Sequence, residues 1–148
     1  MSYDCHDKAT DRPLSCPVSS CPSLLKTLAA VNEQVNYIGF ARAARDRTMH
    51  AYVDPLYNEI CLNIAEMLVR PPNAIVRIHG TDIEAAIVQE VYRALTHDHI
   101  EFVAANFKAQ TRLIRNKRAY LQTALYNALF ELDAHYTNLV RHDIHNSL

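Results

Sequence analysis

Residues Asp54 to Pro72 read DPLYNEICLNIAEMLVRPP. Asp54 and Pro55 form a helix start: the carboxylate is placed to accept a first-turn N–H, and proline at the first helical position loses nothing, because the N–H there has no partner anyway. From there Leu56, Ile60, Ile64 and Leu68 recur every fourth residue, with Tyr57, Cys61 and Ala65 beside them, so one broad face is apolar. Pro71 and Pro72 stop the helix. The spacing predicts a core helix, and Cys61 within its stripe reads as a small buried hydrophobe.

The segments around it fall into place by period. After the prolines, Ile75, Val76 and Ile78 are β-branched, His79-Gly80 supplies a turn and Ile83 follows, which predicts one small hairpin at about Ala74 to Ile83. Thr81-x-x-Glu84 competes as a capping box for the next helix, and both hold if the second strand is short. Before the core helix, Leu24, Leu28, Val31, Val35 and Ile38 fit an amphipathic helix, with a bend or break at Gly39. A second helical piece runs from Phe40 to Tyr52, with Arg42, Arg45 and Arg47 on a solvated side. After the hairpin, Glu84 to Leu95 puts Ile87, Val88, Val91 and Leu95 on one face. Asp98 and Glu101 then resemble a second box, followed by Ile100, Val103, Ala104 and Phe107. A helix from about Lys117 to Leu129 comes next, and Leu132, Tyr136, Leu139 and Val140 continue the period into a last helix that fades from Arg141.

The chain has 148 residues, 49% of them apolar, and two glycines. That length supports one domain with a real core, and so little glycine argues against a sandwich or barrel. The expected fold is mostly α, a compact bundle of about six helices with one hairpin, over residues 24–148. Met1 to Ser23, with three of the six prolines, reads as a flexible leader. Its Cys5-His6 and Cys16…Cys21 lack the close paired spacing of a structural zinc site and read as free thiols. No secretory signal and no long apolar run is present, so the expected location is the cytoplasm, with reduced cysteines.

Enzyme signatures are missing. Two glycines cannot build a dinucleotide or phosphate loop, and neither G-x-S-x-G nor H-E-x-x-H occurs. His97-Asp-His99 and His142-Asp-Ile-His145 lie at helix boundaries without a cysteine or carboxylate box, so capping and solvent exposure account for them better than metal binding. The expectation is a protein with neither catalysis nor cofactor.

The chain is near neutral, with a formal charge of -1, yet no Asp or Glu occurs from Phe102 to Phe130. Within that stretch Lys108, Arg112, Arg115, Lys117 and Arg118 precede the apolar spacing of Tyr120, Leu121, Ala124, Leu125 and Ala128. Asn116 stands where a helix N-cap is wanted. Local fields rather than net charge select partners. Cations at a helix N-terminus can hold several phosphates, which gives salt-sensitive, sequence-independent affinity for DNA. An acidic protein partner and plain solvation are the other readings of the same cluster.

Several stretches together resemble a known family: Arg77-Ile-His-Gly80 with Val88, His99-Ile-Glu-Phe-Val103, Ile114-Arg-Asn116, Tyr120-Leu-Gln-Thr-Ala-Leu-Tyr-Asn-Ala128, His135-Tyr136 and Val140-Arg-His-Asp143. The pattern, from about Val31 to Ile144, resembles the C-terminal domain of replication initiator proteins of plasmids and conjugative elements in low-GC Gram-positive bacteria. That domain is similar in turn to the helical DnaD-type domain of primosomal proteins. The resemblance implies a DnaD-like helical fold and a non-enzymatic replication accessory that binds DNA non-specifically, recruits host replication proteins, or assembles with its own copies. Initiators of that kind carry an N-terminal winged helix, and Met1 to Ser23 has no counterpart, so sequence-specific origin recognition is not implied. Leu129-Phe130 replaces the family's usual proline, which lets the basic and final helices join without a sharp break. The tryptophan of the DnaD-type pattern is missing.

Overall fold

The computed structural model describes residues 22–48 and 53–146. They form six helices and one hairpin: α1 (Pro22–Gln34), α2 (Tyr37–Thr48), α3 (Pro55–Leu68), β1 (Ile75–Ile78), β2 (Thr81–Glu84), α4 (Ala85–Arg93), α5 (His97–Lys108) and α6 (Lys117–Asn146). The bundle with one hairpin expected from periodicity is the observed architecture. Cys5, His6, Cys16, Cys21 and most of the expected leader lie outside the described residues, as does the helical stretch expected from Met49 to Tyr52.

α3 is the hub. Asp54 caps it as expected, its Oδ1 accepting from Leu56 N–H at 2.9 Å. Eight of the fourteen residues of α3 are buried, and α1, α4, α5 and α6 all pack on it. Ile60, Cys61 and Ile64 are completely inaccessible. Burying each isoleucine contributes about 2–3 kcal/mol relative to leaving it exposed. Desolvation pushes the Cys61 thiol up to about 12, so it is inert as a nucleophile.

Several boundaries differ from the sequence reading, each for a local reason. The bend between α1 and α2 lies at Val35 and Asn36, and Asn36 supplies the left-handed backbone with φ 53°. Gly39 sits inside α2. Its missing side chain permits close approach, since a Cβ there would meet Asn36 Nδ2 at 2.7 Å and His97 Cε1 at 3.2 Å. Beside it Phe40 stacks between Tyr57 and His97, with centroid distances of 4.3 and 4.1 Å, and so locks α2 onto α3 and α5.

The hairpin pairs Ile75 with Glu84 and Ile78 with Thr81. Thr81 is therefore a strand residue, and the Thr81–Glu84 box does not form: Glu84 precedes α4 with no side-chain capping bond. His79 and Gly80 both have positive φ, 52° and 73°, which matches the twist of a two-residue hairpin turn. On α4 the core face is Ala85, Val88, Gln89 and Tyr92, while Ile87 is 53% exposed, so the expected stripe is rotated. α6 is a single helix of 30 residues that absorbs both of the expected terminal helices.

The start of α5 is also corrected. Thr96, not Asp98, is the N-cap residue, and the reciprocal partner is His99: Thr96 N–H donates to His99 Nδ1 at 3.0 Å. That bond leaves the ring proton of the neutral form on Nε2. Burial holds the His99 pKa below its ordinary value, with Asp133 and then Asp98 opposing. The folded state therefore binds fewer protons at this site than the unfolded chain, whose histidine titrates near about 6.5. Stability should be constant at higher pH and fall as pH drops from about 7 through the folded pKa, by at most about 1.4 kcal/mol per pH unit. Thermal melts between pH 8 and 5 check this. His99→Gln, which can still accept from Thr96 N–H, should flatten the slope, and an unchanged slope would assign it to another group.

Two glutamines close helix ends. Gln89 Nε2 donates to the Met67 and Arg70 carbonyls at 3.0 and 2.8 Å, and Gln34 Nε2 donates to those of Tyr92 and Leu95 at 3.0 and 2.7 Å. Gln89→Leu should keep the side chain's bulk but orphan the Arg70 carbonyl, the Met67 carbonyl keeping the Arg70 N–H at 3.2 Å, at a cost of about 1–3 kcal/mol in urea unfolding. An unchanged midpoint would mean that another partner closes it.

Candidate nucleic-acid interface

α6 begins where the sequence placed it. Asn116 Oδ1 accepts from Ala119 N–H at 3.1 Å, and its carbonyl accepts from Tyr120 N–H at 3.0 Å. The five cations of the basic stretch are then divided between two tasks. Lys108 Nζ lies 2.9 Å from Asp54 Oδ2 and 5.4 Å from the centroid of Tyr57. Lys117 Nζ lies 2.6 Å from Glu59 Oε2 and 5.3 Å from the centroid of Phe107. Arg118 holds both carboxylate oxygens of Glu66, through Nη1 at 3.2 Å and through Nη2. Asp54 precedes α3, and Glu59 and Glu66 lie on it, so three of the five cations fasten the α5–α6 region to α3. The Leu56 N–H first, and then Lys108, holds the Asp54 carboxyl below the usual carboxylate range.

Arg112 and Arg115 remain. Both are exposed in the loop before α6, with no ion pair among the described residues, and Leu113 between them is 86% exposed. Arg70 at the end of α3 and Arg77 on β1 meet Arg118 and Asn116 around a cleft of about 410 Å³. Gln122 Nε2 donates to the Arg77 carbonyl at 3.3 Å and ties the strand to α6. Arg77 makes one loose pair with Asp82, 3.5 Å apart with both side chains well exposed, worth little in water. Glu66 is the cleft's one carboxylate and is held by Arg118. With three arginines against it, the cleft carries a positive excess.

Sequence reasoning missed Arg70 and Arg77. Arg70 looks like a solvated residue ahead of Pro71, and Arg77 like a strand residue, and only the fold brings them beside a segment about forty residues later. One turn further along, the hairpin crosses α6. Asn127 Nδ2 and His79 Nε2 lie 2.5 Å apart, and a second groove of about 250 Å³ opens there between α5 and α6. Among the described residues no group of three His, Cys, Asp or Glu is placed to hold a metal ion. No helix among them is long and apolar enough to cross a membrane.

Residues 28–147 match a family described as a family of unknown function, DUF6017. The chain belongs to that family. No curated protein matches it, and no solved structure does. The match covers every element of this DUF6017 domain except the first turns of α1, so the arginine cleft and the groove beside it both fall within the family's extent.

Removing Arg118 should cost stability, because Glu66, whose side chain is 10% exposed, would lose its partner. Arg118→Met should lower the unfolding free energy by about 1–3 kcal/mol, while Arg115→Ala should change it by less than about 0.5 kcal/mol. Equal effects in urea unfolding would show that the two arginines do not differ in role.

Proposed function

We propose that this domain is a non-enzymatic accessory module of DNA replication on a mobile element, acting in the cytoplasm and holding DNA by its phosphates. The observation that carries the proposal is the convergence of Arg70, Arg77 and Arg118 on the Asn116-capped start of α6, with Arg112 and Arg115 exposed in the loop that leads into it. First-turn N–H groups and guanidinium forks are both suited to phosphate oxygens, and none of them reads a base. The sequence resemblance to the C-terminal domain of replication initiators supports the same reading. Lys108 and Lys117 add to the local field, but their ion pairs reserve them first for the fold.

A second reading has one observation of its own. Beyond Leu132 the apolar face of α6 continues without cover from the described residues, with Tyr136, Leu139 and Val140 about half exposed. On this reading the module recruits a protein or a second copy and has no DNA affinity. Sedimentation without DNA separates the two, since a concentration-dependent oligomer that ignores DNA favours the second.

Fluorescence anisotropy with labelled DNA at two salt concentrations tests the first reading. Binding should weaken steeply with salt, because each phosphate contact releases counterions. Charge reversal at Arg77 and Arg115 together should weaken it at least about ten-fold and reduce the salt slope by roughly two. Unchanged affinity in that double variant, with the fold intact by circular dichroism, would remove the cleft from the site.

A further inference from the structure

The groove on the other side of α6 plays no part in phosphate binding. At about 250 Å³ it is smaller than the roughly 300–1,000 Å³ of sites that enclose a whole small-molecule ligand. A single flat ring system is the scale of object it can take. Its deeper members are apolar, with Val103 buried and Phe102, Tyr120 and Ala124 half-buried, while His79, Asn106 and the carboxylate of Glu131 on the rim are exposed. Asn127, which lines the groove, spends its Nδ2 on His79 Nε2 and keeps its Oδ1 as an acceptor. The Asn106 amide makes no side-chain hydrogen bond among the described residues and offers a donor and an acceptor side by side.

An apolar floor with amides and one carboxylate at the edge is chemistry that accepts a nucleobase: the ring face is desolvated and the edge, whose exocyclic amines a carboxylate can accept from, finds hydrogen bonds. The groove is also placed for it. The hairpin sends Arg77 to the arginine cleft and His79 to this groove, one on each side of α6, which is only about 10 Å across with its side chains. A strand whose phosphates lie in the cleft therefore passes within reach of the groove. A duplex keeps its bases stacked and paired and cannot supply one.

We infer that the groove lined by Phe102, Tyr120, Asn106 and Asn127 takes an unstacked base of single-stranded nucleic acid, so that the domain prefers single strands to duplex. This rests on the phosphate reading above and adds base contact to it.

The test uses the full chain and three labelled oligonucleotides of equal length: a single strand, an abasic single strand with the same phosphates, and a duplex. The base-bearing strand should bind about ten-fold more tightly than the other two, the scale of one stacked base. Thr123→Phe, which fills the groove from α6, should abolish that difference while leaving the salt slope intact. Asn106→Ala, an exposed change with no packing role, should reduce it by itself and keeps the test open if the larger variant misfolds. Equal, salt-sensitive binding of the abasic and base-bearing strands would overturn the groove and spare the phosphate reading. No binding of any strand at low salt would overturn both.

Discussion

Every helix in this chain has to end without glycine. The two glycines are committed elsewhere, Gly39 to a close approach inside α2 and Gly80 to the hairpin turn, so the left-handed glycine that commonly closes a helix C-terminus is not on hand. The residues after α3, α4 and α5, namely Val69, Ala94 and Ala109, all stay in the right-handed region. The Met67 and Tyr92 carbonyls accept local N–H groups from Arg70 and Leu95, and Gln89 and Gln34 reach across the bundle to add a second donor to each and to close the Arg70 and Leu95 carbonyls that follow. Unsatisfied carbonyls in these buried surroundings would be costly. A local terminator is thus supplemented by a tertiary one at α3 and α4, whose ends depend on a neighbouring helix being in place, while α5 closes on its own backbone.

The same dependence runs through the basic stretch. Asn63 Nδ2 donates to the Arg118 carbonyl at 3.1 Å while the Arg118 guanidinium clasps Glu66. Both polar residues of α3 that would otherwise be stranded in the core are answered by one residue at the start of α6. Tyr92 adds a third tie from α4, its hydroxyl donating to the Gln122 carbonyl at 2.9 Å. The N-terminal turns of α6 are therefore a fixed platform, which suits a binding site whose groups must be positioned beforehand.

Much of the fold was legible because it is local. Asp54-Pro55, the every-fourth-residue stripe of α3 and the β-branched run of β1 each specify their element with residues a few positions apart. What failed was long-range or degenerate. Asp98 looked like a cap because acidic residues suit that place, but His99 fills the reciprocal role usually given to Glu or Gln and makes Thr96 the start. Gly39 looked like a bend because glycine commonly is one, while Asn36 took the left-handed position and used glycine's lack of a side chain as space. In the site, Asn116 and the exposure of Arg112 and Arg115 follow from sequence alone. The pairing of Lys108, Lys117 and Arg118 with carboxylates of the α3 region could not be read there, and neither could the arrival of Arg70 and Arg77.

That division of the cations decides how an anion could sit in the cleft. Turning Arg118 wholly toward a phosphate would leave the Glu66 carboxylate, 10% exposed, without its partner, at a cost of about 1–3 kcal/mol. A contact with a solvated phosphate returns little more than that. On the phosphate reading, the arrangement favours an anion held by Arg70 and Arg77, with Arg118 contributing from its place beside Glu66. Glu66 then acts as a fixed negative charge at the base of the cleft that sets how deeply a phosphate can enter. On the phosphate reading an anion is then kept toward the rim, beside Arg70 and Arg77.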